Sequence, residues 1–203
     1  MAQHRKGHIT ASTIDPLLTG KGDKLLKGAE TFCMDLALER SDLLVTDELN
    51  DHFQGNRHTE WGEMFEPEAR KLYEQLNFVD VHSDQVVIRE QDSWLSCTPD
   101  GLVGADGMIQ IKCPSSERIF GSYLRNSNIL LKEYADQCQF ELMLSGRKWL
   151  DLFSYHPHFK EGNNYVTVRI EPDHEWQERT RDRIRQAEEL ITEIIKTLQR
   201  KTK

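Results

Sequence analysis

The chain has 203 residues, of which 30% are charged and 37% hydrophobic, a composition typical of one soluble globular domain. Collagen-like and disordered chains are thereby excluded. Its 34 acidic residues outnumber its 26 basic ones, which gives a formal net charge of −8 and no overall signal for nucleic-acid binding. The first 28 residues are the exception, because five basic and only two acidic side chains lie there.

Cysteine spacing and hydropathy indicate the compartment. None of the four cysteines belongs to a CxxC pair, so we expect reduced thiols rather than a disulfide scaffold. No apolar run reaches the roughly 18 residues of a membrane span, and polar residues follow Met1 where a signal peptide would be apolar. We therefore expect a cytoplasmic protein with no membrane partner.

The first clear element is a helix over residues 59–73, where apolar side chains recur at helical spacing. Pro67 lies within it and is expected near the first turn or at a kink. Four β-like runs follow, at 86–88, 94–97, 102–103 and 108–112. The last two surround a turn and predict a hairpin.

The C-terminal part predicts further helices and strands. The expected elements are a helix over 134–144, strands over 149–155 and 165–170, and a long helix over about 173–200 that Asp173 caps. This order predicts an α/β fold, a mixed β-sheet flanked by helices. We expect a single domain over residues 1–203, because no linker or repeat divides the chain.

The turn of the predicted hairpin decides which residues meet. Asp106-Gly107 favours a three-residue loop that ends on a glycine in the left-handed region. The loop would be Ala105-Asp106-Gly107, closed by Gly104 and Met108. This closing pair sets the register of both strands.

That register places Asp100 opposite Lys112 and Leu102 opposite Gln110. Because side chains alternate along a strand, all four lie on one face, and the isoleucines between them point into the core. A slip of one residue would separate Asp100 from Gln110 and Lys112.

An aspartate that faces a lysine, beside a helix bearing glutamates, suits metal-dependent phosphodiester cleavage. Hard oxygen ligands hold Mg²⁺, and a lysine offsets the charge of the transition state. Pro99-Asp100, followed by Gln110-Ile111-Lys112, resembles the PD-(D/E)xK nuclease motif. Taken alone, the same residues also fit an exposed hairpin with an ordinary Asp-Gly turn.

Further motifs occur around this hairpin in one order. They are Ile9-Thr10-Ala11-Ser12, Trp61-Gly62 with Glu66 and Ala69-Arg70, Thr98-Pro99-Asp100-Gly101, Ile111-Lys112-Cys113-Pro114, and Tyr134 with Gln137 and Gln139. The set resembles the phage lambda-type alkaline exonuclease, or viral recombinase, family from about residue 5 to about residue 170. The resemblance implies a restriction-endonuclease-like core.

The resemblance also implies roles for residues of the hairpin and the first helix. Asp100 matches the central metal ligand, and Glu66 matches the outer acidic residue. Position 110 matches the second carboxylate ligand, Ile111 would lend its backbone carbonyl to the metal, and Lys112 matches the catalytic lysine.

A second set of matches concerns the DNA end and the rim of the site. Arg5 matches an arginine that grips the 5′-phosphate, with Ser12 and Thr98 as hydroxyl donors to the same phosphate. Tyr134 and Gln137 match polar residues that line the site, and the glutamine would hold the water or the metal shell.

Gln110 departs from the family pattern, which has Glu or Asp there. An amide coordinates only through a neutral carbonyl, so it weakens Mg²⁺ binding. Either the change was engineered to silence the enzyme or it is a natural variant. A change that keeps the shape and removes only the charge favours the first explanation.

By resemblance, we expect a Mg²⁺-dependent exonuclease, with Mn²⁺ as a substitute ion, that digests one strand of linear duplex DNA from its 5′ end. It would leave a 3′ single strand, form a ring-shaped homotrimer, work with a single-strand annealing protein, and be phage or prophage encoded in a bacterial host. Two alternatives stay open, a non-catalytic DNA-end-binding module and a structure-specific endonuclease of the same fold.

Other residues have simpler interpretations. Outside the motif context, Glu63, Glu66 and Glu68 also fit a solvated helix face, and Cys97 and Cys113 are expected to be structural. His156-Pro157-His158 suggests a transition-metal site, but no third ligand at suitable spacing supports it.

Overall fold

The computed structural model describes residues 6–18, 27–41, 43, 57–83, 87–91 and 93–200. In chain order the elements are β1 (Ile9–Thr10), α1 (Asp15–Leu18), α2 (Lys27–Arg40), α3 (Arg57–Asn77), β2 (Val81–His82), β3 (Ile88–Arg89), β4 (Leu95–Cys97), β5 (Gly101–Val103), β6 (Gly107–Lys112), α4 (Glu117–Arg125), α5 (Ser127–Ser145), β7 (Trp149–Tyr155), β8 (Tyr165–Ile170) and α6 (His174–Arg200). The described helices include none that is long and apolar enough to cross a membrane.

The described residues group into two compact units. The first comprises those within Met1–Phe53, Arg89–Ser96 and Asp173–Lys203, and the second those within Gln54–Ile88 and Cys97–Pro172. The expectation of one domain over residues 1–203 stays a prediction.

A five-stranded sheet forms the centre of the second unit, with strand order β2-β5-β6-β7-β8. Only β6 and β7 pair in parallel, and the other three pairings are antiparallel. The predicted mixed sheet is thus confirmed. Helices α4 and α5 connect the two parallel strands, as parallel pairing requires a long crossover.

Alternation along β6 separates two apolar cores. Met108 points to one side, where it packs in a cluster with Phe120 of α4 and Leu142 of α5. Ile109 and Ile111 point to the other side and pack with residues of α3, as predicted. Gln110 and Lys112 therefore share the face of Met108.

The register of the hairpin differs from the prediction by two residues. Val103 pairs with Gly107 and Gly101 with Ile109, so the loop is Gly104-Ala105-Asp106 and its left-handed residue is Gly104, at φ +54°. The predicted pairs of Asp100 with Lys112 and Leu102 with Gln110 are wrong, because continuing the observed register sets Asp100 against Gln110 rather than Lys112. A shift of two keeps every side chain on its predicted face.

Packing explains why Gly107 belongs to the strand and not to the turn. A Cβ atom at this position would come within 2.1 Å of the Trp149 indole on the adjacent strand, where no heavy atoms fit. The glycine is needed for close contact between β6 and β7.

The first helix of the second unit, α3, starts at Arg57 and includes Pro67 in its interior. The expected location near the first turn is wrong, because α3 starts at Arg57, well before Pro67. The alternative expectation of a kink stays a prediction. Pro67 is exposed, so its ring faces solvent.

The first unit contains α2 and α6, which pack against each other, and most of a small sheet of order β1-β4-β3. Arg40 of α2 is its main polar link: its guanidinium pairs with Glu188 at 2.5 Å, donates to the carbonyl of Gly7 at 2.6 Å and lies 4.8 Å from the Trp94 ring centroid. Helix α6 begins at His174, and the Asp173 carboxylate accepts the Trp176 N–H at 2.9 Å, which confirms the predicted cap.

The contact between Gly107 and Trp149 gives a stability prediction. Gly107→Ala forces a methyl group against the indole and should lower the free energy of unfolding by about 1–3 kcal/mol. Gly121→Ala is the matched control, because no atom lies within 4 Å of the added methyl in α4; it should raise stability by roughly 0.5–1 kcal/mol. Urea unfolding of both variants measures the difference, and equal effects would contradict the packing role of Gly107.

Candidate active site

A cavity of about 640 Å³ opens in the second unit at the carboxyl end of β6. Its volume lies within the usual range for ligand sites. Its polar lining includes Glu63, Glu66, Asp100, Gln110, Lys112 and Tyr134. Six of the residues that the sequence placed in a site, Ile111 among them, therefore line one pocket.

Two hydrogen bonds hold the Asp100 carboxylate in the pocket. Its Oδ2 atom accepts the Ile111 N–H and a Gln110 Nε2–H, each at 2.6 Å. Burial raises the pKa of Asp100 to about 6, and the negative charge of Glu66 adds to the rise, whereas Lys112 opposes it. A raised pKa means that the ionised Asp100 carboxylate is destabilised, and this favours binding of a cation or a proton.

The two ends of the Gln110 amide have different surroundings. Its Nε2 atom faces the Asp100 oxygen, and its Oε1 atom is buried with no hydrogen-bond partner in the described part of the chain. A flipped amide would set two oxygens against each other. The unsatisfied oxygen is an acceptor that a cation could use.

Lys112 lies at the end of a polar chain that leads into the core. Its Nζ donates to Gln137 Oε1 at 3.1 Å and lies 4.6 Å from the Tyr134 ring centroid. Gln137 Nε2 in turn donates to Glu141 Oε1 at 3.1 Å. Glu141 is only 1% exposed. The hydrogen bonds from Lys112 through Gln137 to Glu141 therefore fix the ammonium group from the side of the core.

Sequence reasoning missed Glu141. Gln137 and Glu141 are four residues apart in the helix predicted over 134–144, and such residues lie on one helix face. That spacing could have identified Glu141 as a partner of Gln137.

Glu66 enters the pocket from α3 and forms an ion pair with Arg70 one turn later. Cys113 lies nearby, and burial together with Glu66 and Asp100 raises the pKa of its thiol to about 12. A thiol with that pKa stays protonated at neutral pH and is a poor nucleophile. Burial likewise raises the pKa of Tyr134 to about 12, so its phenol stays neutral.

The structure describes two of the three residues that are expected to bind a 5′-phosphate. Arg5 lies outside the described residues. Ser12 is exposed in the first unit, where its hydroxyl is 3.3 Å from that of Thr10, and Thr98 belongs to the second unit.

The oxygen donors of the pocket suit a hard divalent cation. Asp100 and Glu66 supply carboxylates, Gln110 supplies the unsatisfied Oε1, and the Ile111 carbonyl belongs to the same strand end. Mg²⁺ and Mn²⁺ take such ligands. The set fits the ion, with one negative charge fewer than a carboxylate at position 110 would give.

Comparison with known proteins identifies the family. Residues 2–148 match the model of the YqaJ-like viral recombinase domain, and the chain belongs to this family. The relationship to viral recombinases inferred from the sequence motifs is confirmed. No curated protein matches the chain.

Solved structures show the same fold. An alkaline exonuclease from Laribacter hongkongensis is 24% identical, with a TM-score of 0.82 over 98% of this chain and 95% of its own; it has also been solved in complex with dAMP. A phage related exonuclease from Haemophilus somnus 129PT is 14% identical, with a TM-score of 0.78 over 94% of this chain and 96% of its own. The restriction-endonuclease-like α/β fold is therefore confirmed.

The raised pKa of Asp100 gives a prediction on stability. A carboxyl whose pKa rises from 3.8 to about 6 on folding stabilises the fold below the lower value, and this contribution is lost as pH rises through 6. In a chelating buffer, the stability of the protein relative to Asp100→Asn should fall by roughly 2–3 kcal/mol between pH 4 and pH 7. Urea unfolding of both proteins at each pH measures this, and a constant or rising difference would contradict it.

Proposed function

We propose that the protein acts as a divalent-metal-dependent deoxyribonuclease that digests linear duplex DNA from the 5′ end and leaves a 3′ single strand. One observation carries this proposal: Asp100, position 110 and Lys112 converge in one pocket of a viral recombinase family member. The fold shared with two exonucleases supports it.

Asp100, Glu66, Gln110 Oε1 and the Ile111 carbonyl would hold the Mg²⁺ or Mn²⁺ ion. When bound, the ion supplies Lewis acidity and makes water more acidic at neutral pH. The two hydrogen bonds at Asp100 Oδ2 fix that carboxylate in the pocket. The cost of organising it is therefore met when the chain folds.

Lys112 offsets the negative charge that develops on the phosphate and orients the attacking water. Its position is set by Gln137 Oε1, and Glu141 fixes the orientation of Gln137 by accepting from its Nε2. An ammonium group held in this way loses little entropy when the substrate binds. The Tyr134 ring packs against the Lys112 ammonium group and limits its movement.

Gln110 decides how fast this chain cuts. Its amide donates to Asp100 Oδ2. A carboxylate at position 110 would repel Asp100, and a cation bound between the two groups would offset that repulsion. With the amide, the pocket carries less negative charge and attracts the ion less strongly. We infer that the chain as written binds DNA ends and cuts them very slowly.

The same contact favours a second candidate function, a DNA-end-binding module without turnover. The Gln110–Asp100 hydrogen bond gives the Asp100 carboxylate a partner when no ion is bound. A protein that binds DNA ends without cutting them could keep this hydrogen bond. The binding module is the meaning of Gln110 if this residue is natural, whereas an engineered Gln110 implies a silenced nuclease. The homotrimer and the single-strand annealing partner stay predictions from the family resemblance.

The nuclease assignment is tested in a Gln110→Glu background. Added Asp100→Ala or Lys112→Ala should abolish Mg²⁺-dependent digestion of a linear duplex, because one removes a metal ligand and the other the local positive charge. Lys148→Ala is the matched lysine control, since that side chain is exposed and pairs with Asp106. Circular dichroism verifies the fold of each variant.

Digestion that survives Asp100→Ala or Lys112→Ala would refute the assignment. A closed circular duplex serves as the second substrate. Equal digestion of linear and circular DNA would identify a structure-specific endonuclease instead of an exonuclease.

The proposed grip of Arg5, Ser12 and Thr98 on the 5′-phosphate has its own test. A charge-assisted hydrogen bond to phosphate is worth about 1.5–3 kcal/mol, or roughly tenfold to a hundredfold in rate. Dephosphorylated duplex should be digested more slowly by that factor in the Gln110→Glu background, and Arg5→Ala should remove the difference. Equal initial rates on the two substrates before Arg5 is changed would refute this grip.

A further inference from the structure

A second group of metal-binding side chains lies outside the set that holds Asp100. Glu117, His156 and His158 each place a ligand atom within 4.8 Å of the other two. His158 Nδ1 and Glu117 Oε1 are 3.1 Å apart. The sequence offers the histidine pair no third ligand at suitable spacing, and Glu117 provides one from 41 residues before His158.

We propose that Glu117, His156 and His158 form a binding site for a transition-metal ion of the Zn²⁺ class. Two imidazoles and one carboxylate are a ligand set that Zn²⁺ takes, with a water as the fourth ligand. This chemistry differs from the all-oxygen set around Asp100, which suits Mg²⁺. The site does not depend on whether the Asp100 pocket hydrolyses DNA.

Coordination requires the three ligand atoms to come within tetrahedral spacing of one another. Ligand bonds of about 2.0–2.1 Å in a tetrahedral site set the ligand atoms roughly 3.3 Å apart. The His158–Glu117 pair already has nearly this spacing. Both side chains are more than half exposed, so they are free to rotate towards His156 and to admit an ion and its water.

His156 is the buried anchor of the group. Its side chain is completely buried, and its Nε2 atom has no hydrogen-bond partner within the described residues. The rings of Trp61, Phe120 and Phe159 lie 5.3–5.8 Å from it. Unsatisfied buried nitrogens are uncommon in proteins. Coordination of a metal ion by His156 would explain why its Nε2 atom has no hydrogen-bond partner.

The state of His156 also suits coordination. Burial lowers the pKa of its imidazole, which favours the neutral ring that metals bind. Its Nδ1 atom accepts the His158 N–H at 3.2 Å. Coordination through either ring nitrogen would exchange this one long hydrogen bond for a metal bond, after a change of tautomer if Nε2 is the ligand.

The position of the group shows what the ion would do. His156 directly follows β7, and Glu117 is the first residue of α4, whose Ile119 and Tyr123 line the pocket. Trp61, from the helix that carries Glu66, contacts both histidine rings. A bound ion would therefore tie the first turn of α4 to the end of β7 and stiffen one wall of the pocket.

The test measures Zn²⁺ affinity by competition with a chromophoric chelator, and Co²⁺ coordination by visible absorption. The proteins are the unmodified chain, His158→Asn, Glu117→Gln, and two controls. His82→Asn removes an exposed histidine of the same unit, and Asp100→Asn disables the other site. Circular dichroism checks folding, and the two test residues are exposed, so their loss should leave the fold intact.

We expect one Zn²⁺ per chain, with tetrahedral Co²⁺ bands, in the unmodified protein and in both controls. His158→Asn and Glu117→Gln should weaken Zn²⁺ binding by more than the roughly 10–100-fold that a change behind the ligands costs. Zn²⁺ should raise the melting temperature of the unmodified chain but not of His158→Asn. Absent Zn²⁺ binding, binding unchanged in His158→Asn, or binding lost in Asp100→Asn would each overturn the proposal.

Discussion

The half-buried carboxylate of Asp100 is the group on which the pocket depends. Two hydrogen bonds of 2.6 Å, from the Ile111 backbone and the Gln110 amide, join the end of one strand of the hairpin to the other. The carboxylate is held at a point where burial raises its pKa to about 6. Binding a cation relieves that desolvation penalty, so the fold creates a site that favours positive charge.

The register of the hairpin makes this arrangement possible, and packing sets the register. Gly107 must lie in the strand because only a glycine fits against the Trp149 indole. The turn then moves to Gly104, and position 110 comes level with Asp100. Lys112 lies beyond that pair, where Gln137 and the buried Glu141 hold it from α5. Asp100 and Lys112 are thus held by different sets of neighbours.

Much of this was predictable from the sequence, and the failures have physical causes. The strands over 149–155 and 165–170 were predicted with their observed limits because each is a continuous β-like run. The hairpin register was wrong by two residues, since the Asp106-Gly107 turn signal is local whereas the Trp149 contact comes from a distant strand. Its faces were right because a shift of two preserves alternation.

The site shows the same division between local and distant information. Asp100, Gln110 and Lys112 were found from spacing within one hairpin. Glu117 was missed as a partner of His158, because 41 residues separate them and only the fold brings them together. Arg5 was assigned by family resemblance alone, and it lies outside the described residues.

The central claim, that position 110 controls catalysis through its charge, is tested most directly by comparing the chain with Gln110→Glu. Both proteins are given a 5′-phosphorylated linear duplex in Mg²⁺, and degradation and end binding are measured side by side. We expect similar end binding and digestion faster by several orders of magnitude in Gln110→Glu, at about 1.4 kcal/mol of barrier per tenfold. Digestion by the unmodified chain as fast as by Gln110→Glu would contradict the claim and leave Glu66 or Glu63 to supply the second carboxylate.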